Sequence, residues 1–365
     1  EAATIRELGK FMAQGSIYKG LKPVHWCISC KTALAEAEVE YHDSVSPSIY
    51  VKFPLAEDAR QALPALKEID AHVVIWTTTP WTLPANLGVA LHPRLRYALV
   101  SVGEEAYIMA LELVERVMEE LGTDGYEVLQ EFEGGLLEGK HCRHPFYDRE
   151  SLIVLADYVT LEQGTGCVHT APGHGREDYE TGLKYGLEVY NPVDDEGRFL
   201  DGTGLFDGLT VFEGNEEVNR VLEGEGRLLK QEKLTHSYPH CWRCKEPVIF
   251  RATAQWFISM ETNGLRDKSL KEIKRVQWIP SWGQERIYGM IENRPDWCIS
   301  RQRAWGVPIT AFYCLSCGET LQSQEVSAFV ADLVEVEGAD VWFEKEPAQI
   351  MPPGTVCPQC GGADF

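Results

Sequence analysis

The chain has 365 residues, 44 % of them hydrophobic and 25 % charged, and 34 Lys+Arg against 56 Asp+Glu leave a formal net charge of −22. This composition suits two or three soluble globular domains and excludes collagen, coiled coil and bulk disorder. The charge excludes a free-standing nucleic-acid coater, though a local basic patch such as Lys268, Lys271, Lys274 and Arg275 can still meet phosphate or simply form a solvated helix face.

Residues 1–15 read as a helix with Ile5, Leu8, Phe11 and Met12 on one face. From about Val39 to Val211 the pattern is β-rich. Strands are expected at Ile49–Phe53, His72–Thr77, Tyr97–Val102, Leu152–Tyr158 and Gly166–Thr170, and helices at Glu105–Leu121 and Glu177–Tyr185. A helix follows Glu213, then a Trp- and Arg-rich stretch from Trp256 to Trp305, and a last helix near Gln324–Val336. The longest purely apolar stretch considered as a span, Val73 to Trp76, falls far short of the roughly 18 residues a membrane requires. No secretory signal opens the sequence, which begins at Glu1 and ends just after a Cys-rich turn. The expectation is a cytoplasmic protein and a piece of something longer.

Of 11 cysteines, eight form four C-x-x-C pairs: Cys27/Cys30, Cys241/Cys244, Cys314/Cys317 and Cys357/Cys360. Chance placement gives on the order of one third of one such pair. Without a secretory signal, metal explains them better than disulfides. Cys314/Cys317 with Cys357/Cys360 make a four-cysteine ribbon. Cys27/Cys30 with Cys241/Cys244 would close a second site and pin the ends of the β-rich block together. Each would be a closed, structural Zn²⁺ site, up to two in all. Cys142, Cys167 and Cys298 read as buried small hydrophobes.

Two polar stretches carry candidate chemistry. Thr77-Thr78-Thr79-Pro80-Trp81-Thr82-Leu83-Pro84-Ala85-Asn86 follows an apolar strand, and its prolines forbid regular pairing. It is either a ligand loop or a Thr-rich turn that satisfies its own backbone. The stretch Gly164 to Asp178 ends a strand at His169–Thr170 and enters a helix at Glu177 and Asp178. Asp178 there could anchor an ammonium group or merely start the helix. His169, His174 and Asp178 could instead hold a catalytic metal. A third stretch, Asn293 to Pro308, sets three Arg among two Trp, which suits phosphate and base contacts or an internal Arg–Trp stack.

With these residues in view, the chain resembles the bacterial isoleucyl-tRNA synthetases, class I aminoacyl-tRNA synthetases, over essentially its whole length. The matching stretches are Pro23–Cys30, Thr77–Asn86, Gly164–Asp178, Tyr238–Met260 and Asn293–Pro308. The resemblance implies an α/β multi-domain chain: a β-rich, barrel-like editing domain inserted in a partial Rossmann-type catalytic domain, with four-cysteine zinc knuckles. The implied boundaries are 1–38 for the end of the first Rossmann half with its knuckle, 39–225 for the editing domain, 226–292 for the return segment, and 293–365 for the start of the second half with the ribbon. It also implies that Asp178 holds the substrate α-ammonium. Thr78, Thr79, Thr82 and Asn86 would contact the aminoacyl group and terminal adenosine, with Thr77, Trp81 and His174 as further substrate contacts. His169 would help reject the isoleucyl side chain. The implied partners are the 3′ end of tRNA(Ile) and valine or valyl-adenylate as the species edited, on a monomer. The family's His-Ile-Gly-His-type and Lys-Met-Ser-Lys-Ser-type signatures do not occur in this sequence. ATP and Mg²⁺ therefore belong to the full-length enzyme, and no isoleucine activation is expected here. The expected activity is hydrolysis of mischarged Val-tRNA(Ile) by water. A zinc-dependent hydrolase or a non-catalytic zinc-knuckle module that holds tRNA are the alternatives.

Overall fold

Alternating residues along Val39–Pro54 make a long strand, and from Ile49 to Phe53 every position is buried. In the computed structural model, which describes residues 1–66, 69–123 and 125–365, this strand is second in a six-stranded sheet. The sheet order is Leu228–Cys241, Val39–Pro54, Asp70–Thr77, Glu105–Ala110, Arg96–Val102, Glu127–Glu133. A four-stranded sheet runs Cys167–Thr170, Gly88–Leu91, Glu150–Leu155, His141–Arg143. Both sheets lie in one compact unit, Leu21–Thr253. Among the described strands no closed barrel is seen for the barrel-like domain that the resemblance implied.

A second unit joins Glu1–Gly20 to Ala254–Phe365, so the sheet-bearing unit is an insertion in its sequence. There the helix Ala2–Ala13 lies along the helix Gln324–Glu337. Their apolar faces meet in a core of Ile5, Val326, Val330, Ala331 and Val334, closed by Phe312, Val341 and Ile350. Gly9 is needed at this crossing, since a Cβ would stand 3.0 Å from that of Ser327. Ser323 caps the second helix by accepting from Val326 N–H.

The expected helix Glu105–Leu121 begins too early. Glu105–Ala110 is a strand, paired antiparallel with Arg96–Val102 and parallel with Asp70–Thr77. Two neighbours satisfy its backbone and bury Ala106 to Ala110, which outweighs the helix propensity of Glu and Ala; the helix starts only at Val114.

Register is what brings the two polar stretches together. The Thr loop leads straight into the strand Gly88–Leu91, which pairs antiparallel with Cys167–Thr170, placing His169 opposite Val89 and Thr170 opposite Gly88. Leu87 N–H also donates to Thr170 O at 3.0 Å. The turn after Thr170 is tight: a Cβ on Gly173 would lie 2.1 Å from Tyr190 O, a backbone atom that cannot step aside. Gly173→Ala is therefore expected to lower stability by about 1–3 kcal/mol through overpacking, read from the urea midpoint. Gly224→Ala, where a Cβ meets nothing within 4 Å, serves as the neutral comparison.

Candidate functional site

Most of the Thr loop is used to hold itself in place. Thr77 Oγ1 accepts from Thr79 N–H at 3.1 Å, and Thr82 Oγ1 donates to Thr79 O at 2.8 Å. Prolines force Pro80–Ala85 into a tight helical turn. Its back is captured by side chains from elsewhere in the unit. Trp81 N–H donates to Asn215 Oδ1 at 3.0 Å, His144 Nε2 lies 2.9 Å from Leu83 O, and Arg149 donates to Pro84 O at 2.6 Å. Asn86 donates to Gly88 O at 2.7 Å and accepts from Ser151 Oγ at 2.6 Å.

Opposite stands the end of the strand Cys167–Thr170 and the helix Arg176–Tyr185. Asp178 Oδ2 accepts from Ala171 N–H at 2.9 Å, folding the carboxyl back over the turn. Gly175 makes room for it, because a Cβ there would come within 2.9 Å of Asp178 Cγ.

Between these walls lies a cavity of about 590 Å³. Thr77, Thr78, Thr79, Thr82, His169, His174 and Asp178 all line it. Trp81 and Asn86 do not: both are buried, with the Trp81 backbone N–H donating to Asn215 and the Asn86 amide bonded to Gly88 O and Ser151 Oγ. The sequence reading missed Trp76, Tyr158, Thr160, Glu162 and Gln163, which complete the lining. Trp76 adjoins the Thr run and could have been noticed. The segment from Tyr158 to Gln163 carries no local signal, since only the tertiary path after Glu150–Leu155 brings it here.

The cavity wall is rich in unmet hydrogen-bonding capacity. The described residues include ten buried side-chain polar atoms without a partner, and His169 Nδ1 and His174 Nε2 among them belong to residues of this lining. Such groups imply a polar occupant. Burial pushes His169 and His174 down to about 4, so both imidazoles are neutral at physiological pH. Thr82 gives its hydroxyl proton to Thr79 O, so His169 Nε2, 3.0 Å from Thr82 Oγ1, must be the donor there and Nδ1 is left as an acceptor. Burial raises Asp178 to about 7, against the opposing bond from Ala171 N–H. A carboxyl so desolvated gains most from a cationic partner.

The cysteines gather in the two groups expected, the first across a span of roughly 200 residues that lies outside the usual zinc spacings. Cys27, Cys30, Cys241 and Cys244 form one group, and Cys314, Cys317, Cys357 and Cys360 another, with all ligand atoms of each within 4.8 Å of one another. Sulfurs stand 3.5 Å apart in the first and 3.6 Å in the second. A tetrahedron of thiolates with metal–sulfur bonds of about 2.3 Å needs a similar spacing, so both groups fit a closed metal site. His169, His174 and Asp178 do not form such a group among the described residues. In the other unit, the Arg–Trp stretch is divided: Trp305 is 95 % exposed, whereas Arg301 donates to the Cys298 and Ser300 carbonyls.

Comparison with known proteins adds to this geometry. Residues 1–359 match the model of the tRNA synthetases class I (I, L, M and V). The chain is 59 % identical to an isoleucine–tRNA ligase of Syntrophotalea carbinolica and 58 % identical to that of Geobacter sulfurreducens, over all of this chain and 39 % of each relative. It is 54 % identical to that of Petrotoga mobilis, again over 39 % of the relative. The chain thus spans about two fifths of the length of these relatives. A solved editing domain of the P. knowlesi cytosolic leucyl-tRNA synthetase aligns over 51 % of this chain and 96 % of that one, at 10 % identity and a TM-score of 0.40, which is too low to argue from. On the family match and the identities, the chain belongs to the class I tRNA synthetases and is a fragment similar to isoleucine–tRNA ligases.

Proposed function

We propose that this chain is the editing portion of an isoleucyl-tRNA synthetase and hydrolyses Val-tRNA(Ile) by attack of water on the aminoacyl ester. The observation that carries this reading is the carboxyl of Asp178, partly buried and held by Ala171 N–H in a cavity whose other wall is a tied-down Thr loop. An isoleucine pocket discriminates against valine by only about 1–3 kcal/mol, a general figure for one methylene of which these synthetases are themselves the standard example, so a second, hydrolytic site is required. The domain boundaries at 38, 225 and 292, the Rossmann halves on either side, and tRNA(Ile) as partner belong to the same proposal.

In this reading Asp178 binds the α-ammonium, Thr78 and Thr79 orient the ester carbonyl and the terminal ribose, and His169 bounds the space for the side chain. Rate acceleration comes from fixed geometry and preorganised dipoles rather than from a protein nucleophile. The buried Cys167 thiol is unsuited to that role, because burial raises it well above its ordinary value. The cysteine groups bind Zn²⁺ and act structurally, holding the chain where it enters and leaves the β-rich block and within the C-terminal ribbon.

Asp178→Ala is expected to abolish release of valine from Val-tRNA(Ile); an unchanged rate contradicts the anchoring role. Since only the ionised carboxylate pairs with ammonium, the wild-type rate rises with pH through about 7, and Asp178→Asn lacks that limb. The folded value lies above the unfolded one, so ionisation lowers stability as pH rises from the unfolded carboxyl value through about 7; Asp178→Asn is accordingly more heat-stable than wild type at pH 8 and not at pH 3. His169→Ala admits Ile-tRNA(Ile), measured as a fall in the Val/Ile rate ratio of roughly tenfold or more. Metal analysis finds two Zn²⁺ per chain, and Cys241→Ser retains one and melts at lower temperature; full retention of both refutes the long-range site.

A further inference from the structure

The hydrogen bonds around His174 fix what this side chain offers. Nδ1 lies 3.0 Å from the Phe250 carbonyl oxygen, which can only accept, so Nδ1 carries the ring proton. Nε2 is then a bare lone pair, on a residue only 8 % exposed, and it has no partner. The ring stands edge-on to Trp81 at 4.9 Å, and the residue lines the same cavity as Thr78, Thr79 and Asp178. The cavity lining therefore holds two uncharged acceptors that the ammonium anchor leaves unused, His174 Nε2 and His169 Nδ1; the proposed reading sets His169 against the substrate side chain, which leaves His174 without a role.

We infer that His174 is a further positioning residue for the hydrolysis proposed above, its Nε2 accepting a hydrogen bond from the attacking water. The inference rests on that proposal. Charge decides between the donors of the bound ester complex: the ammonium goes to the Asp178 carboxylate, a charged acceptor that outcompetes a neutral imidazole for it, and this leaves His174 Nε2 for a neutral O–H. Holding one O–H of the water turns an oxygen lone pair toward the ester carbon. The water oxygen bonds to that carbon and the bond to the ribose oxygen breaks. One water proton stays with the new carboxyl group and the other ends on the departing ribose oxygen. His174 ends the cycle as it began, protonated on Nδ1 alone. This accounts for a buried histidine with one satisfied and one unpartnered nitrogen at a place where a fully satisfied ring would serve packing better.

The test is single-turnover and steady-state hydrolysis of Val-tRNA(Ile) by the whole chain and three variants. His174→Phe keeps the ring against Trp81 and removes the acceptor; it lowers kcat roughly 10- to 100-fold with KM unchanged, as expected for a lost positioning contact. His174→Gln, whose amide oxygen reaches the place of Nε2, recovers much of that loss, whereas His174→Asn, which reaches only the place of Nδ1, does not. Thermal midpoint and zinc content accompany each variant, and if His174→Phe does not fold, the Gln/Asn contrast decides. Equal kcat for wild type and His174→Phe, a loss confined to KM, or equal rates for the Gln and Asn variants overturns the inference while leaving the editing proposal intact. No hydrolysis by the unaltered folded chain overturns the editing proposal, and this inference with it.

Discussion

A partly buried carboxyl that shares its cavity with two uncharged imidazoles is the constraint from which the site follows. Asp178 is ionised only with difficulty where it stands, and nothing cationic in the lining answers it. The histidines cannot, because burial holds both near 4. In the proposed reading this unmet electrostatic demand is what an ammonium group of the right reach would satisfy. Stability is sacrificed locally, as is common where a site is preorganised for charge it does not yet hold.

Such a site works only if its other wall does not yield. The Thr loop cannot lean on a regular ladder, since its prolines remove donors and fix the backbone. It is instead tied from behind by Asn215, His144, Arg149, and the Asn86–Ser151 pair, each reaching a different backbone or amide group. These ties leave Thr78 and Thr79 facing the cavity while Thr77 and Thr82 organise the turn and His169. Strand pairing then fixes the distance between the walls, because the loop's exit strand and the strand bearing His169 are hydrogen-bonded neighbours.

Much of this was legible in the residues. The strands around Ile49–Phe53, His72–Thr77 and Tyr97–Val102 announce themselves by apolar, β-branched runs bounded by turns, and the four C-x-x-C pairs gather into the two expected groups, one of them across a span no usual zinc spacing covers. Seven of the nine expected pocket residues line the cavity. The exceptions are instructive. The resemblance implied Asn86 and Trp81 as substrate contacts; the fold buries both, with the Asn86 amide tied to Ser151 and the Trp81 backbone N–H to Asn215. Glu105–Ala110 reads as helix from its Glu and Ala content, but it is the second strand of a hairpin with Arg96–Val102 and pairs on its other side with the more distant Asp70–Thr77. The stretch Tyr158–Gln163 reads as nothing at all, since its contribution is purely one of placement. Barrel closure was an expectation of resemblance alone, and no closed barrel is seen among the described strands, which form four sheets.

Everything in the proposed site turns on Asp178 pairing with an ammonium group. The most direct test of that pairing is carboxyl ¹³C NMR of Asp178 in the whole chain, titrated with and without an adenosine bearing a non-hydrolysable 3′-valylamide. The free carboxyl should titrate near 7, and the ligand should pull it well below that value, because the bound ammonium favours the charged form. A titration that the ligand leaves in place would mean that the ammonium lies elsewhere and that the buried carboxyl serves the fold alone.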